Sequence, residues 1–246
     1  MALEIIETTL LRGRVRLLQP KKGFHAAPDT VFLAAAAHPP TRAQVLDAGC
    51  GVGGAGLCLT TRLPHINLTG IDMQRDMADL ALQNARLNGM EARCRFFCGD
   101  IRNEKHTEDN FFHAVIVNPP YLEAGTHTPS PQKIKAVSHG ESATLQDWVK
   151  YAHRKLKQGG TITMIHRADR LDDTITTLTS RRWFGSLVVF PLYSREGDDA
   201  KRVIVRARKE RYAPIILKAG MIMHEKNGDY STAADAILAK ADTISL

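Results

Sequence analysis

From Val45 onward the chain alternates between short apolar or β-branched runs and longer stretches of helical character, and that alternation restricts the fold more than any other feature. Strands joined through crossover helices run parallel, and a parallel sheet is buried by helices on both faces. The spacing predicts strands over 45–47, 66–71, 93–98, 114–117, 161–165, 187–190 and 203–205, and helices over 54–63, 76–87, 145–156 and 171–180. Asn88-Gly89 ends the second of these helices, because glycine takes the left-handed conformation there at little cost. The expectation is an α/β chain with a seven-stranded, mostly parallel sheet.

Ahead of the sheet, residues 9–19 read as two short strands turning at Gly13, and Pro28-Asp29 opens a helix over 30–37. At 246 residues the chain sustains one large core, so a single domain is expected: 1–43 as a cap, 44–210 as the catalytic core and 211–246 as a tail packed on it. Residues 123–141 show little periodicity directly after a strand, and loops of that length are usually functional or disordered.

The chemistry concentrates at two strand ends. In Asp47-Ala48-Gly49-Cys50-Gly51-Val52-Gly53-Gly54, glycines let the backbone turn sharply and approach a ligand, and the next helix opens with free N–H groups. A glycine turn alone is weak evidence, but Asp72 ends the second strand, where a carboxylate accepts from ribose hydroxyls, and Asp100 follows the third in Gly99-Asp100-Ile101. Further on, the apolar run 114–117 leads straight into Asn118-Pro119-Pro120-Tyr121. Two prolines fix φ and remove two donors, leaving a stiff strand end whose carbonyls are available to accept. Asn118 Oδ1 and the Pro119 carbonyl are then placed to accept the two hydrogens of a planar amine, with Tyr121 stacking on the ring that carries it.

Composition bears on partners. The net charge is +7, and basic residues bunch at Arg12/Arg14/Arg16, Lys21/Lys22, Lys133/Lys135, Arg181/Arg182 and 202–211, which suits a polyanion. The four cysteines, Cys50, Cys58, Cys94 and Cys98, lack paired spacing and a histidine cluster, so buried thiols are expected, with neither metal nor disulfide. No basic leader opens the chain and no apolar run approaches the roughly 20 residues that span a bilayer, which gives the expectation of a cytoplasmic protein.

On these motifs the chain resembles the class I S-adenosylmethionine (SAM)-dependent methyltransferases, which implies a Rossmann-like fold and SAM as cofactor, with S-adenosylhomocysteine as product. The resemblance implies a cofactor set of Asp47, Gly49, Gly51, Asp72, Met73, Asp100, Ile101 and Asn118, and a catalytic set of Asn118, Pro119, Pro120 and Tyr121. The tetrapeptide is shared by enzymes acting on adenine N6, cytosine N4, guanine N2 or the glutamine side-chain amide. Across the whole chain, Leu11-Arg12-Gly13-Arg14, Gln19-Pro20, Gly23-Phe24, the two central motifs, Lys201-Arg202-Val203-Ile204-Val205 and residues 224–230 resemble the bacterial tRNA1(Val) adenine-37 N6-methyltransferase family. That resemblance implies tRNA as partner and lays the segment up to Asp29 over the cofactor, although Asp29 equally suits a helix cap. The competing expectations are a release-factor glutamine methyltransferase, a ribosomal RNA guanine methyltransferase, and an RNA-binding module of the same fold.

Overall fold

The computed structural model describes residues 4–22, 28–120 and 143–246. Two antiparallel strands, β1 (Ile5–Leu10) and β2 (Val15–Pro20), form a hairpin that turns through Leu11–Gly13. Helix α1 (Pro28–Ala36) follows, and then the alternation expected from the sequence: β3 (Gln44–Ala48), α2 (Gly54–Arg62), β4 (Asn67–Asp72), α3 (Arg75–Leu87), β5 (Cys94–Cys98), β6 (Phe112–Val117), α4 (Leu145–Lys155), β7 (Leu156–Arg167), α5 (Leu171–Thr179), β8 (Phe184–Tyr193) and β9 (Ala200–Lys209). Two strands of two residues, β10 (Ile216–Leu217) and β11 (Met221–Ile222), and a last helix, α6 (Thr232–Lys240), complete the described chain.

The expected seven strands, β3 to β9, form the body of a sheet that β10 and β11 extend to nine by pairing in parallel with β8. Across that body the order is β8-β9-β7-β6-β3-β4-β5, with β9 the antiparallel member. The sheet is buried on both faces because alternate residues go opposite ways: Val45, Ala114 and Ile116 pack in one apolar cluster with α1, α2 and α6, whereas Leu46, Val115 and Val117 pack in the other with α4. Strand order reverses between β3 and β6, and in open α/β sheets the crevice at the carboxyl ends beside such a reversal is where ligands bind.

The hairpin is held beside the glycine turn by a buried amide. Asn84 of α3 accepts from the Leu18 N–H at 2.7 Å and donates to the carbonyls of Leu18 and Val52 at 3.0 and 2.9 Å. At the other end of the chain, α6 packs against α1 and the hairpin turn, and Arg12 bonds Asp235 at 2.7 Å. Arg16 pairs with Glu7 and Lys21 with Glu4, so three residues of the basic clusters are engaged by carboxylates of the chain itself. Lys209 lies buried, donating to Asn110 and to the Leu156 carbonyl. Cys50, Cys58 and Cys94 are buried thiols as expected, whereas Cys98 at the end of β5 is only half-buried. No helix among the described residues is long and apolar enough to cross a membrane.

Candidate active site

Strands β3 and β6 pair in parallel with Ala48 opposite Val117. Gly49 and Asn118 therefore leave the sheet side by side, about 4.8 Å apart in the hydrogen-bonding direction, at the reversal of strand order. The two motifs, some seventy residues apart in sequence, thus open from one corner.

The turn after β3 is built for close approach. Gly49, Gly51 and Gly53 have φ of 72°, 53° and 85°, a region that side chains disfavour. The Gly49 and Cys50 N–H groups both donate to the Ile71 carbonyl at 2.8 and 3.0 Å, which binds the turn to the end of β4. A Cβ on Gly51 would meet no other described residue within 4 Å, whereas one on Gly49 would lie 2.6 Å from Cη2 of Trp148. The indole of α4 is thus the floor under the first glycine, a role that spacing gave no means of assigning to Trp148.

Asp72 stands at the end of β4 with each oxygen engaged by the loops it joins: Oδ2 accepts from Gly51 N–H at 2.8 Å and Oδ1 from Gln74 N–H at 2.9 Å. Burial pushes its carboxyl above the usual range. Each oxygen keeps a second lone pair, so a vicinal diol can be accepted without breaking the turn. Met73, the next residue, is 53% exposed, a large apolar side chain beside the carboxylate. This combination of open glycine backbone, acceptor carboxylate and exposed thioether fits the amino-acid and ribose parts of SAM.

Asp47 is buried and accepts from Gly56 N–H at 3.0 Å, so its carboxylate caps α2 from the neighbouring strand, a favourable place for negative charge. Loss of solvation nevertheless pushes its pKa up to about 7, with the nearby Asp72 adding to the rise. A carboxyl whose folded pKa is raised contributes most below its unfolded value and loses that contribution as pH rises through 7. Asp47→Asn keeps an acceptor for Gly56 and should raise the melting temperature on the order of 5 °C at pH 8, with a smaller gain at pH 5. A gain independent of pH in thermal scans would contradict this account.

Asp100 is held by Arg102, whose Nη2 lies 2.6 Å from Oδ2 and whose Nε donates to both oxygens at 3.0 Å. The guanidinium holds the Asp100 carboxyl below the usual range. Ile101 is buried in the apolar cluster that contains Val117 and Trp148. Asp29, in the first turn of α1, pairs at 2.8 Å with Arg202 at the start of β9, so the helix entry is tied to the carboxyl edge of the sheet. Asn118 is half-buried, Pro119 buried and Pro120 exposed; Tyr121 lies outside the described residues, as do Phe24, Lys133 and Lys135. Among the described residues no group of three or more histidine, cysteine or acidic side chains is arranged to hold a metal ion.

Residues 27–177 match the family described as the methyltransferase small domain, a span that contains both strand-end motifs. The chain belongs to that family. Relatives within reach of sequence comparison include a tRNA1(Val) (adenine(37)-N6)-methyltransferase of Porphyromonas gingivalis, 30% identical over 131 residues; the match spans about half the length of that relative, 51%, and 52% of this chain. One of the same name from Shewanella putrefaciens is 25% identical over 216 residues, covering 86% of this chain and 89% of the relative. A release factor glutamine methyltransferase of Aliivibrio fischeri is 28% identical over 134 residues, with 52% and 46% covered. Among solved structures, a predicted O-methyltransferase of Agrobacterium tumefaciens superposes with a TM-score of 0.74 over 89% of this chain and 99% of its own, at 24% identity, and shares the fold.

Proposed function

We propose that this methyltransferase-family chain moves the methyl group of SAM to an exocyclic amino group, and that the acceptor is adenine N6 in tRNA. The observation that carries the reading is the paired exit of Gly49 and Asn118 from adjacent strands, which brings the start of the glycine turn and the start of the Asn-Pro-Pro segment to one corner.

In this reading Gly49 and Gly51 face the methionine part of SAM, Asp72 and Met73 the ribose, and Asp100 and Ile101 the adenine, with Asp47 keeping the turn in shape. Asp29, fixed by Arg202, borders the same edge. SAM, when bound, supplies an electrophilic methyl on a cationic sulfur. The protein's task is then to present a nitrogen in line with it. An exocyclic amine is a poor nucleophile because its lone pair is delocalised into the ring. Asn118 Oδ1 and the Pro119 carbonyl each accept one amine hydrogen, which draws the nitrogen out of the ring plane and localises the pair. The prolines make that corner rigid, so positioning and electrostatics carry the rate. No strong base is required, since the nitrogen becomes acidic once alkylated and its proton passes to water. Tyr121 stacks on the base, which is extruded from its neighbours to reach the corner.

The longest of the reported alignments supports RNA over a protein acceptor: that to the Shewanella tRNA enzyme runs through 86% of the chain, whereas those to the release-factor enzyme and to the Porphyromonas tRNA enzyme each run through 52%. Incubation of the purified protein with methyl-labelled SAM and either total tRNA or release factor separates the two. Label in tRNA is expected; label confined to the protein substrate would replace the proposal by glutamine methylation.

A further inference from the structure

Strand β8 runs parallel to β7, both being antiparallel to β9, so its carboxyl end opens on the same edge as the glycine turn and Asn118. Beyond that end lies a cavity of about 1450 Å³ between the β8–β9 turn, the segment around β11 and the start of α6. Three strand spacings separate β8 from β6, about 14 Å, on the side of the target corner away from β4 and β5. We propose that this cavity receives nucleotides flanking the methylated base and reads at least one of them. The inference rests on the RNA reading above.

The lining chemistry supports a nucleotide. Tyr193 and His224 supply aromatic faces, and the His224 ring is stacked at 4.8 Å and 24° on Tyr230, which lies outside the lining itself and is 41% exposed beside it. Bases stack on such platforms whatever their identity. Arg195 and Lys226 also line the cavity. Unlike Arg12, Arg16 and Lys21, neither has a carboxylate within ion-pair distance among the described residues, so both are available to phosphate oxygens. Glu196, Asp198 and Glu225 stand among these groups, so three carboxylates share the lining with the two cations. A surface that only attracted a polyanion would carry cations alone; carboxylates beside aromatic faces suit the amino groups on base edges, where sequence is read. The volume exceeds the roughly 300–1,000 Å³ of an ordinary small-molecule pocket, as a stretch of chain requires.

Two variants test the assignment, each first checked for retained SAM binding as evidence of an intact fold. In Arg195→Ala/Lys226→Ala, the slope of log affinity for tRNA against log salt should become shallower by about 1.4, the share of two single-strand phosphate contacts, and tRNA binding at low salt should weaken at least tenfold. In Tyr230→Ala, the KM for tRNA should rise about tenfold, the cost of one lost stacking contact, with the salt slope as in the wild type. Wild-type slope in the double variant together with wild-type KM in Tyr230→Ala would overturn the cavity assignment while RNA methylation persisted. A wild-type enzyme that labels protein and no RNA would remove the parent reading, and this one with it.

Discussion

Asn118→Ala should lower kcat for tRNA methylation by at least about 100-fold while SAM affinity stays within a few-fold of wild type. In the proposed mechanism the side chain supplies one of two acceptors that hold the amine out of plane, and removing one preorganised polar group from such a site typically costs about 10²–10³ in rate. The residue stands one position beyond the Ala48–Val117 pair, so truncation leaves the strand ladder and the glycine turn in place. Asn118→Asp is the informative companion: it retains an oxygen acceptor but brings a charge toward a site that already contains Asp47 and Asp72, and it should recover only part of the rate. Single-turnover kinetics with saturating SAM read the chemical step directly. A kcat equal to wild type in Asn118→Ala would show that the tetrapeptide is a strand terminator without catalytic work.

Asp72→Ala should weaken SAM binding by at least about 100-fold by isothermal titration. Two effects add. On the proposed assignment the variant loses two charge-assisted hydrogen bonds to the ribose, worth roughly 1.5–3 kcal/mol each, where 1.4 kcal/mol is a factor of ten. It also releases the Gly51 and Gln74 N–H groups that the carboxylate now holds at 2.8 and 2.9 Å, so the turn loses one of its anchors to β4. Asp100→Ala is the contrast. Its carboxylate is already committed to Arg102, so a smaller loss of affinity is expected there. Equal losses in the two variants, or none in Asp72→Ala, would contradict the assignment of the ribose end.

The parts of this architecture legible in the sequence are those governed by local periodicity. Short runs buried on both faces, separated by helical stretches, read out β3 to β9 in order, and Gly49, Gly51 and Asp72 stood out because a tight turn and a strand-end acid each leave a residue-type signature. Where local chemistry pointed the wrong way, the lengths came out wrong. The strand expected over 161–165 begins earlier: β7 runs from Leu156 to Arg167 through Gly159-Gly160, with a register shift against β6 between Phe112 and Ala114. Strands β10 and β11 are two residues each and Ile216 and Leu217 are exposed, so neither alternation nor burial marks them.

The site's supporting contacts were illegible for a different reason: they depend on topology. Arg12 meets Asp235 across 223 positions and Arg202 meets Asp29 across 173, and no spacing rule connects such pairs. For the same reason the basic clusters overstated the available positive surface, since Arg12, Arg16 and Lys21 spend their charge on the chain itself. Trp148 lay within an amphipathic helix with nothing to distinguish it from core; its place against Gly49 follows from how α4 lies on the sheet.

The proposed site presents the Asn118 side-chain oxygen and the Pro119 carbonyl to an NH2 group, and the position of the transferred methyl tests it most directly. Nucleoside mass spectrometry of tRNA treated with the enzyme and SAM, with chromatographic separation of the methyladenosine isomers, should find N6-methyladenosine accumulating in wild type and absent with Asn118→Ala. Methyl on a ring nitrogen or on ribose oxygen would contradict it, because neither position offers the two hydrogens that Asn118 and Pro119 are proposed to accept.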